Sequence, residues 1–333
     1  MTAFDESPQT RVERFLAGDV GRELDVEDAR RLVGDASNRL YYRLRLKHGA
    51  SRVLALYPEP FAPQELPYIN ISELFRAMSL RVPRIESVSG SEGLMVLEDL
   101  GDTLLQNFVA EASVEQKRAR YREALSMLAD LQIKGERFRD ERYLPYRVVF
   151  DEAKFFSELD FFRAHFLCGL RGARLTPEEL SELNEVFNEL AGALVSESYA
   201  LCHRDYHSRN LMVVDDELVI IDFQDARQGP RAYDLVSLLN DSYVAHSPEL
   251  VSEMVALFAD KLGVDLSGEY DLAALQRNLK ALGTFGFQIG ERGNDVYRQY
   301  VEHTLTLVRG NLVRNPSWDR LRSILARHVE ELR

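Results

Sequence analysis

The chain has 333 residues, of which 45% are hydrophobic and 29% charged, with a formal net charge of -13 at pH 7. This length and balance exclude a disordered segment and leave room for two domains or lobes with substantial cores. The negative total argues against a general binder of nucleic acid or anionic membranes, so a polyphosphate site must build its own positive field from a cation, basic side chains and backbone amides. Met1 to Thr10 lacks the basic and apolar regions of a signal peptide, and no apolar run is long enough to span a bilayer. The two cysteines, Cys168 and Cys202, form no CxxC pattern, which fits a reducing cytoplasm and offers neither a zinc site nor a redox motif.

Thr10 to Leu16 reads as a short helix. Gly34-Asp35-Ala36-Ser37-Asn38-Arg39 is turn-rich, and Leu40, Tyr42, Leu44 and Leu46 then alternate with polar or amphipathic residues as in a half-buried strand. His48 to Ser51 turns the chain and Val53 to Tyr57 returns, giving a hairpin. Pro58 to Pro67 is loop. Ile71, Leu74, Phe75 and Met78 recur at helical spacing, so Ile69 to Met78 is a helix packed on the sheet. Ile85 to Val88 and Leu94 to Leu97 make a second hairpin, after which Glu98 to Gly101 ends the strand-rich part.

From Ser113 the chain is mainly helical. Ser113 caps a helix with a Tyr121, Leu125, Leu128, Leu131 stripe, and Thr176-Pro177-Glu178-Glu179 opens another with a capping-box pattern. Between them, Arg137 to Arg147 is irregular, and Phe155, Phe156, Leu159, Phe162 and Phe166 read as core rather than as a sugar-stacking platform. Ala232 to Asn240 and most of Pro248 to Leu332 are helical by pattern, with Trp318 anchoring the last helix.

The chemistry concentrates at Leu201 to Asp225. Two short apolar strands flank a polar loop, His203 to Asn210, and Asp215-Asp216 turns between the second and third strands. Asp205 and Asn210 stand near the ends of that loop, and Asp222 follows the last strand. A nucleotide's phosphates need a hard cation with oxygen ligands, which Asn210 and Asp222 can supply as ligands of Mg²⁺. Asp205 can orient an acceptor hydroxyl and receive its proton. The order H-x-D-x-x-x-x-N, strand, turn, I-D-F is similar to the catalytic loop and metal-binding Asp of protein kinases.

His203-Arg204-Asp205-Tyr206, Arg209-Asn210-Leu211-Met212, Asp222-Phe223-Gln224-Asp225-Ala226 and Tyr233-Asp234-Leu235 resemble the aminoglycoside-phosphotransferase-like kinases. Within that group the Asp-Phe-Gln-Asp run is most similar to bacterial cell-wall-recycling kinases, which phosphorylate the anomeric hydroxyl of N-acetylmuramate and N-acetylglucosamine. The resemblance implies an α+β, two-lobed, protein-kinase-like fold. Residues 1–97 would form a nucleotide-binding lobe of antiparallel sheet plus helix, and residues 98–333 a mainly helical catalytic and acceptor-binding lobe. It places Gly34, Asp35, Ala36 and Ser37 over the nucleotide phosphates and Glu98 and Leu100 at the adenine. Asp234 becomes a structural carboxylate that bonds the catalytic-loop backbone.

One departure stands out. The strand Arg52 to Tyr57 has no Lys in its middle, where kinases carry a phosphate contact, and Arg39 or Arg43 would have to supply that charge. Arg204 and Arg209 could steady phosphate charge or pair with carboxylates. Tyr206, His207 and Asp225 are candidate acceptor contacts. The implied activity is a cytoplasmic, ATP- and Mg²⁺-dependent amino-sugar kinase. Alternatives are a kinase of an aminoglycoside, choline or homoserine, or a nucleotide-binding pseudokinase.

Overall fold

The computed structural model describes residues 7–32, 39–195 and 199–333. Gly34, Asp35, Ala36 and Ser37, expected over the nucleotide phosphates, lie outside the described residues. The chain forms two compact units, Met1–Thr103 with Met212–Gln224, and Leu104–Leu211 with Asp225–Arg333. A single cut after residue 97 therefore does not describe them, because the hairpin that ends in Asp222 belongs to the first unit.

In the first unit, α1 (Pro8–Ala17) and α2 (Asp19–Glu23) precede a sheet of β1 (Val26–Leu32), β2 (Leu40–Leu46), β3 (Ser51–Leu56), β4 (Ile85–Ser89) and β5 (Leu94–Glu98). The spatial order is β1-β2-β3-β5-β4, and each neighbouring pair is antiparallel. The period-2 pattern of β2 does what it predicts: Tyr42, Leu44 and Leu46 are buried with Leu54, Leu56, Leu94, Val96, Val12 and Phe15. β1 was not foreseen. Its sequence, VEDARRL, buries no residue fully and pairs with β2 along the sheet edge, where charged side chains protect against further pairing. The helix α3 (Pro67–Ala77) buries Tyr68, Ile71, Leu74 and Phe75, as its spacing predicts.

The hairpin Leu211–Val214 and Glu217–Ile220 turns through Asp215 (φ 48) and Asp216 (φ 67). Two successive left-handed residues are what a two-residue type I′ turn demands, and Asp tolerates that region better than most side chains. The Val213 N–H donates to the Thr103 carbonyl and the Ile220 N–H to that of Arg81. Phe223, beside Asp222, stacks on Tyr68 at 4.8 Å and packs near Phe75 at 5.4 Å. A buried aromatic thus fixes the segment that carries the metal-binding candidate.

The second unit contains α4 (Leu105–Glu111), α5 (Val114–Arg137), α6 (Glu152–Phe161), α7 (Pro177–Leu194), α8 (Ala232–Leu239), α9 (Pro248–Leu262), α10 (Glu269–Gly290), α11 (Val301–Arg314) and α12 (Asp319–His328). A short strand Ala200–Cys202 pairs antiparallel with Arg227–Gly229. The predicted caps are present: Ser113 and Thr176 each form a full capping box. Phe155, Leu159, Phe162 and Phe166 are fully buried, so these four are core as read, whereas Phe156 of the same run is half-buried. It continues beyond α6 as a π-helical stretch, Phe162–Leu170.

α10 crosses this stretch closely enough to require glycine. A Cβ on Gly286 would lie 2.4 Å from the His165 carbonyl oxygen, and one on Gly283 would lie 2.8 Å from Phe162 Cα. Trp318 is only half-buried; Leu321, Ile324 and Leu325 anchor the last helix instead. Among the described residues no helix is long and apolar enough to cross a membrane.

Candidate active site

The loop from His203 to Asn210 has almost no apolar side chains to hold it, so its shape depends on where its backbone donors go. The His203 N–H donates to Asp234 Oδ2 at 2.5 Å and the Arg204 N–H to Asp234 Oδ1 at 2.9 Å. The Ser208 N–H donates to Asp241 Oδ2 at 3.0 Å. Asp234 thus has the structural role that the sequence reading assigned to it, and burial pushes its carboxyl up to about 6 against the pull of His203 and these N–H groups. Arg204 sits at φ 85, a left-handed conformation that a long side chain adopts only when its surroundings enforce it. His203 is buried and its Nδ1 accepts from the Asp205 N–H at 3.3 Å, so it orders the loop.

Asp205 lies at the centre of an ion cluster. Its Oδ1 accepts from Arg277 Nη2 at 3.1 Å and from Lys280 Nζ at 3.0 Å. Both donors come from α10. Burial alone would raise the Asp205 carboxyl, but Lys280, Arg277 and Arg204 outweigh it and hold it well below the ordinary carboxylate range. About 27% of the Asp205 side chain remains exposed. Behind it, Arg204 pairs with Asp225 at 2.9 Å and with Glu158 at 3.4 Å, and Glu158 also receives Lys154 at 3.3 Å and Gln276 at 3.0 Å.

The other loop residues divide between core and site. Tyr206, read as a possible acceptor contact, is fully buried, and its hydroxyl donates to the Ala124 carbonyl at 2.8 Å. It is a packing residue because the loop turns that side chain inward. His207 is pushed down to about 3 by burial and by Arg277, so its imidazole is neutral, and its buried Nδ1 has no hydrogen-bond partner. Its ring meets that of Tyr243 edge-on at 5.1 Å. The Arg209 guanidinium lies over Tyr243 at 4.8 Å and Tyr297 at 5.6 Å. Asp225 is 53% exposed and bound to Arg204. Asn210 donates through Nδ2 to the Asp205 carbonyl at 2.8 Å, an orientation that leaves its Oδ1 as a ligand oxygen.

In the first unit, Asp222 sits at φ 60 on the exposed segment after the hairpin, and its Oδ1 accepts from Gln224 Nε2 at 2.8 Å. Arg39 lies over the rings of Tyr57 (5.7 Å) and Tyr41 (5.9 Å). Burial works against its charge, but Tyr41, Tyr57 and Asp222 prevail and hold the guanidinium protonated even more firmly than usual. Arg43, the other substitute for the missing lysine, is engaged with Asp99 at 2.7 Å and Asp102 at 2.9 Å. The middle of β3 holds Val53, Leu54 and Ala55, so no lysine stands there. Glu98 binds Arg81 at 2.5 Å through its carboxylate, and its N–H donates to the Arg84 carbonyl. Any adenine contact at Glu98 must therefore use its carbonyl oxygen. Leu100, its expected companion, is half-buried two positions beyond.

The donor chemistry fits a hard cation. Within the second unit Asn210 offers its Oδ1, and within the first the Asp222 carboxylate stands beside Gln224, whose buried Oε1 lacks a hydrogen-bond partner. Among the described residues no three His, Cys, Asp or Glu side chains are grouped to hold a metal. Mg²⁺ is commonly held by one or two carboxylates, with water and substrate phosphates completing the shell, so a lone carboxylate such as Asp222 suffices as its anionic ligand.

Comparison with known proteins agrees with the motif reading. A model of the phosphotransferase enzyme family matches residues 28–267. An N-acetylmuramate/N-acetylglucosamine kinase of Neisseria meningitidis serogroup B is 29% identical over 83% of this chain and 83% of its own length. The kinase of the same name from Pseudomonas aeruginosa is 27% identical over 88% of this chain and 86% of its own. Among solved structures, an ADP-bound aminoglycoside phosphotransferase matches 90% of this chain and 98% of its own with a TM-score of 0.60 at 14% identity, a likeness of fold alone.

Proposed function

The chain belongs to the phosphotransferase enzyme family, and from that premise we propose that it transfers the γ-phosphate of ATP to the anomeric hydroxyl of an N-acetylated amino sugar. The observation that carries the chemistry is the setting of Asp205. Arg277 and Lys280 both bind its Oδ1 and keep the carboxylate ionised, which leaves Oδ2 to accept the hydrogen bond of an acceptor hydroxyl. In that position Asp205 orients the hydroxyl and takes its proton as the oxygen attacks.

The remaining roles follow from the donors described. Asn210 Oδ1 and the Asp222 carboxylate would hold Mg²⁺, which supplies neutralising charge to the phosphate oxygens when bound. Arg39 supplies the fixed positive charge that β3 lacks. The Glu98 carbonyl and Leu100 would meet the adenine, and His207 and Asp225 remain acceptor contacts. The first unit thereby serves the nucleotide, and the second the acceptor and the proton.

The choice of sugar rests on the relatives named as N-acetylmuramate/N-acetylglucosamine kinases, which match along most of both lengths. A cytoplasmic place in cell-wall recycling belongs to the same reading. The missing β3 lysine favours a second reading, a nucleotide-binding pseudokinase. Against it stand the complete set of Asp205, Asn210 and Asp222 and the charge of Arg39 beside Asp222. Phosphorus NMR of products formed with each sugar and ATP decides the matter. A sugar 1-phosphate is expected. A 6-phosphate, or turnover of kanamycin or choline with neither sugar used, would refute the proposed acceptor. ATP binding with no acceptor turned over would establish the pseudokinase.

A further inference from the structure

At Asp205 one carboxylate oxygen is shared by two cations. Behind the loop, the carboxylates of Glu158 and Asp225 are met by Arg204, Lys154 and Arg227. In front, Asp205 is the carboxylate that hydrogen-bonds both Arg277 and Lys280, whose side chains are only 9% and 11% exposed, and Glu158 also favours the charge of both. They stand three residues apart on α10, so both project from one helix face. Once Asp205 has accepted the hydroxyl proton, both cations lose the charge of the carboxylate that hydrogen-bonds them.

We infer that Arg277 and Lys280 form a charge filter on the acceptor, admitting neutral or anionic alcohols and rejecting cationic ones. The inference rests on Asp205 being the base that receives the acceptor hydroxyl. Any such acceptor must bring its reacting oxygen to Asp205, and therefore to within a few ångströms of both cations. These are poorly solvated side chains, so their field is screened far less than that of surface lysines. Like unit charges about 6 Å apart in a partly buried setting repel enough to lower kcat/KM by about 10- to 100-fold. A carboxylate on the acceptor at similar range gains in the opposite direction. Lys280 carries the filter in a form that can be tested. Burial holds its amine below the ordinary lysine value, and Asp205 and Glu158 offset this only in part. Arg277 is additionally tied through Nε to Ser237 Oγ at 3.0 Å and is harder to replace cleanly.

The test uses a matched pair of acceptors, N-acetylglucosamine and glucosamine, which differ in charge at one nitrogen, with N-acetylmuramate as the anionic member. The wild type, Lys280→Met and Lys280→Arg are compared by kcat/KM for each, with thermal melting as the check on folding. Lys280→Met should narrow the preference for N-acetylglucosamine over glucosamine by about tenfold, mainly through a lower KM for glucosamine. It should also weaken N-acetylmuramate relative to N-acetylglucosamine. Lys280→Arg should restore the wild-type ratios, which a merely structural role for the lysine would not require. Sugar turnover with ratios unchanged in Lys280→Met overturns the filter and leaves the proposed function standing. A wild type that uses choline or kanamycin and neither acetylated sugar overturns both.

Discussion

Gly286→Ala should destabilise the protein, although the same change in an open helix position would stabilise it. In a helix interior alanine is favoured over glycine by about 1 kcal/mol. At Gly286 the added Cβ would lie 2.4 Å from the His165 carbonyl oxygen, 2.5 Å from its carbon and 2.7 Å from the Phe166 nitrogen, whereas ordinary contact begins at 3.4 Å. The overlap is about 1 Å, and it falls on backbone that has no rotamer to change, so α10 and the Phe162–Leu170 stretch must move apart. Overpacking costs about 1–3 kcal/mol, occasionally more; a clash with fixed backbone belongs at the upper end, so subtracting the propensity gain leaves a net loss of about 2 kcal/mol. For a unit of this size that is a fall in melting temperature of about 4–8 °C. The control is Gly290→Ala on the same helix, where nothing lies within 4 Å and stability should hold or rise. Because α10 also carries Arg277 and Lys280, the Gly286 variant should lose turnover as well, through a looser Asp205. Calorimetric melting of both variants beside a coupled kinase assay reads both effects. A Gly286→Ala protein as stable as the wild type would refute the steric argument.

Asp205→Asn should lower kcat by roughly 10²–10⁴-fold, the usual loss when a positioned general base is removed, while calorimetry shows ATP affinity unchanged. Asp222→Ala should abolish turnover at any Mg²⁺ concentration, and Asn210→Ala should raise the Mg²⁺ concentration needed for half-maximal rate. Near-normal rates in Asp222→Ala would remove the metal assignment. Arg39→Met should raise KM for ATP by about tenfold, whereas Arg43→Met, whose guanidinium is engaged with Asp99 and Asp102, should leave it near wild type. Equal effects from the two would show that Arg39 is not the phosphate contact.

What was legible in the sequence was contiguous. Asp205, Asn210, Asp222 and Asp234 could be placed because short strands and a turn fix their order within about thirty residues, and backbone geometry then leaves little freedom. The alternation of β2 and the caps at Ser113 and Thr176 were readable for the same reason. Arg277 and Lys280 were not. They meet Asp205 across sequence separations of 72 and 75 residues, and nothing in a buried helix says which of its polar residues will face a distant loop. Tyr206 misled because a residue beside a polar loop Asp can point either way, and only packing around Ala124 decides it. The charged strand β1 carries no apolar alternation, so its pairing with β2 became visible only in the fold.

The loop from His203 to Asn210 is gripped from behind at two points. Asp234 holds it just ahead of Asp205 and Asp241 just after, one from within α8 and one from just beyond its end. The helical segment between them acts as a spacer of set length. Its own residues face the core, whereas the two cations on Asp205 come from α10. The loop's backbone anchors and the cations on its carboxylate are therefore written in separate parts of the chain. A lineage, or an engineer, can retarget such an enzyme by rewriting one face of α10 and leave the spacer and its two carboxylates alone.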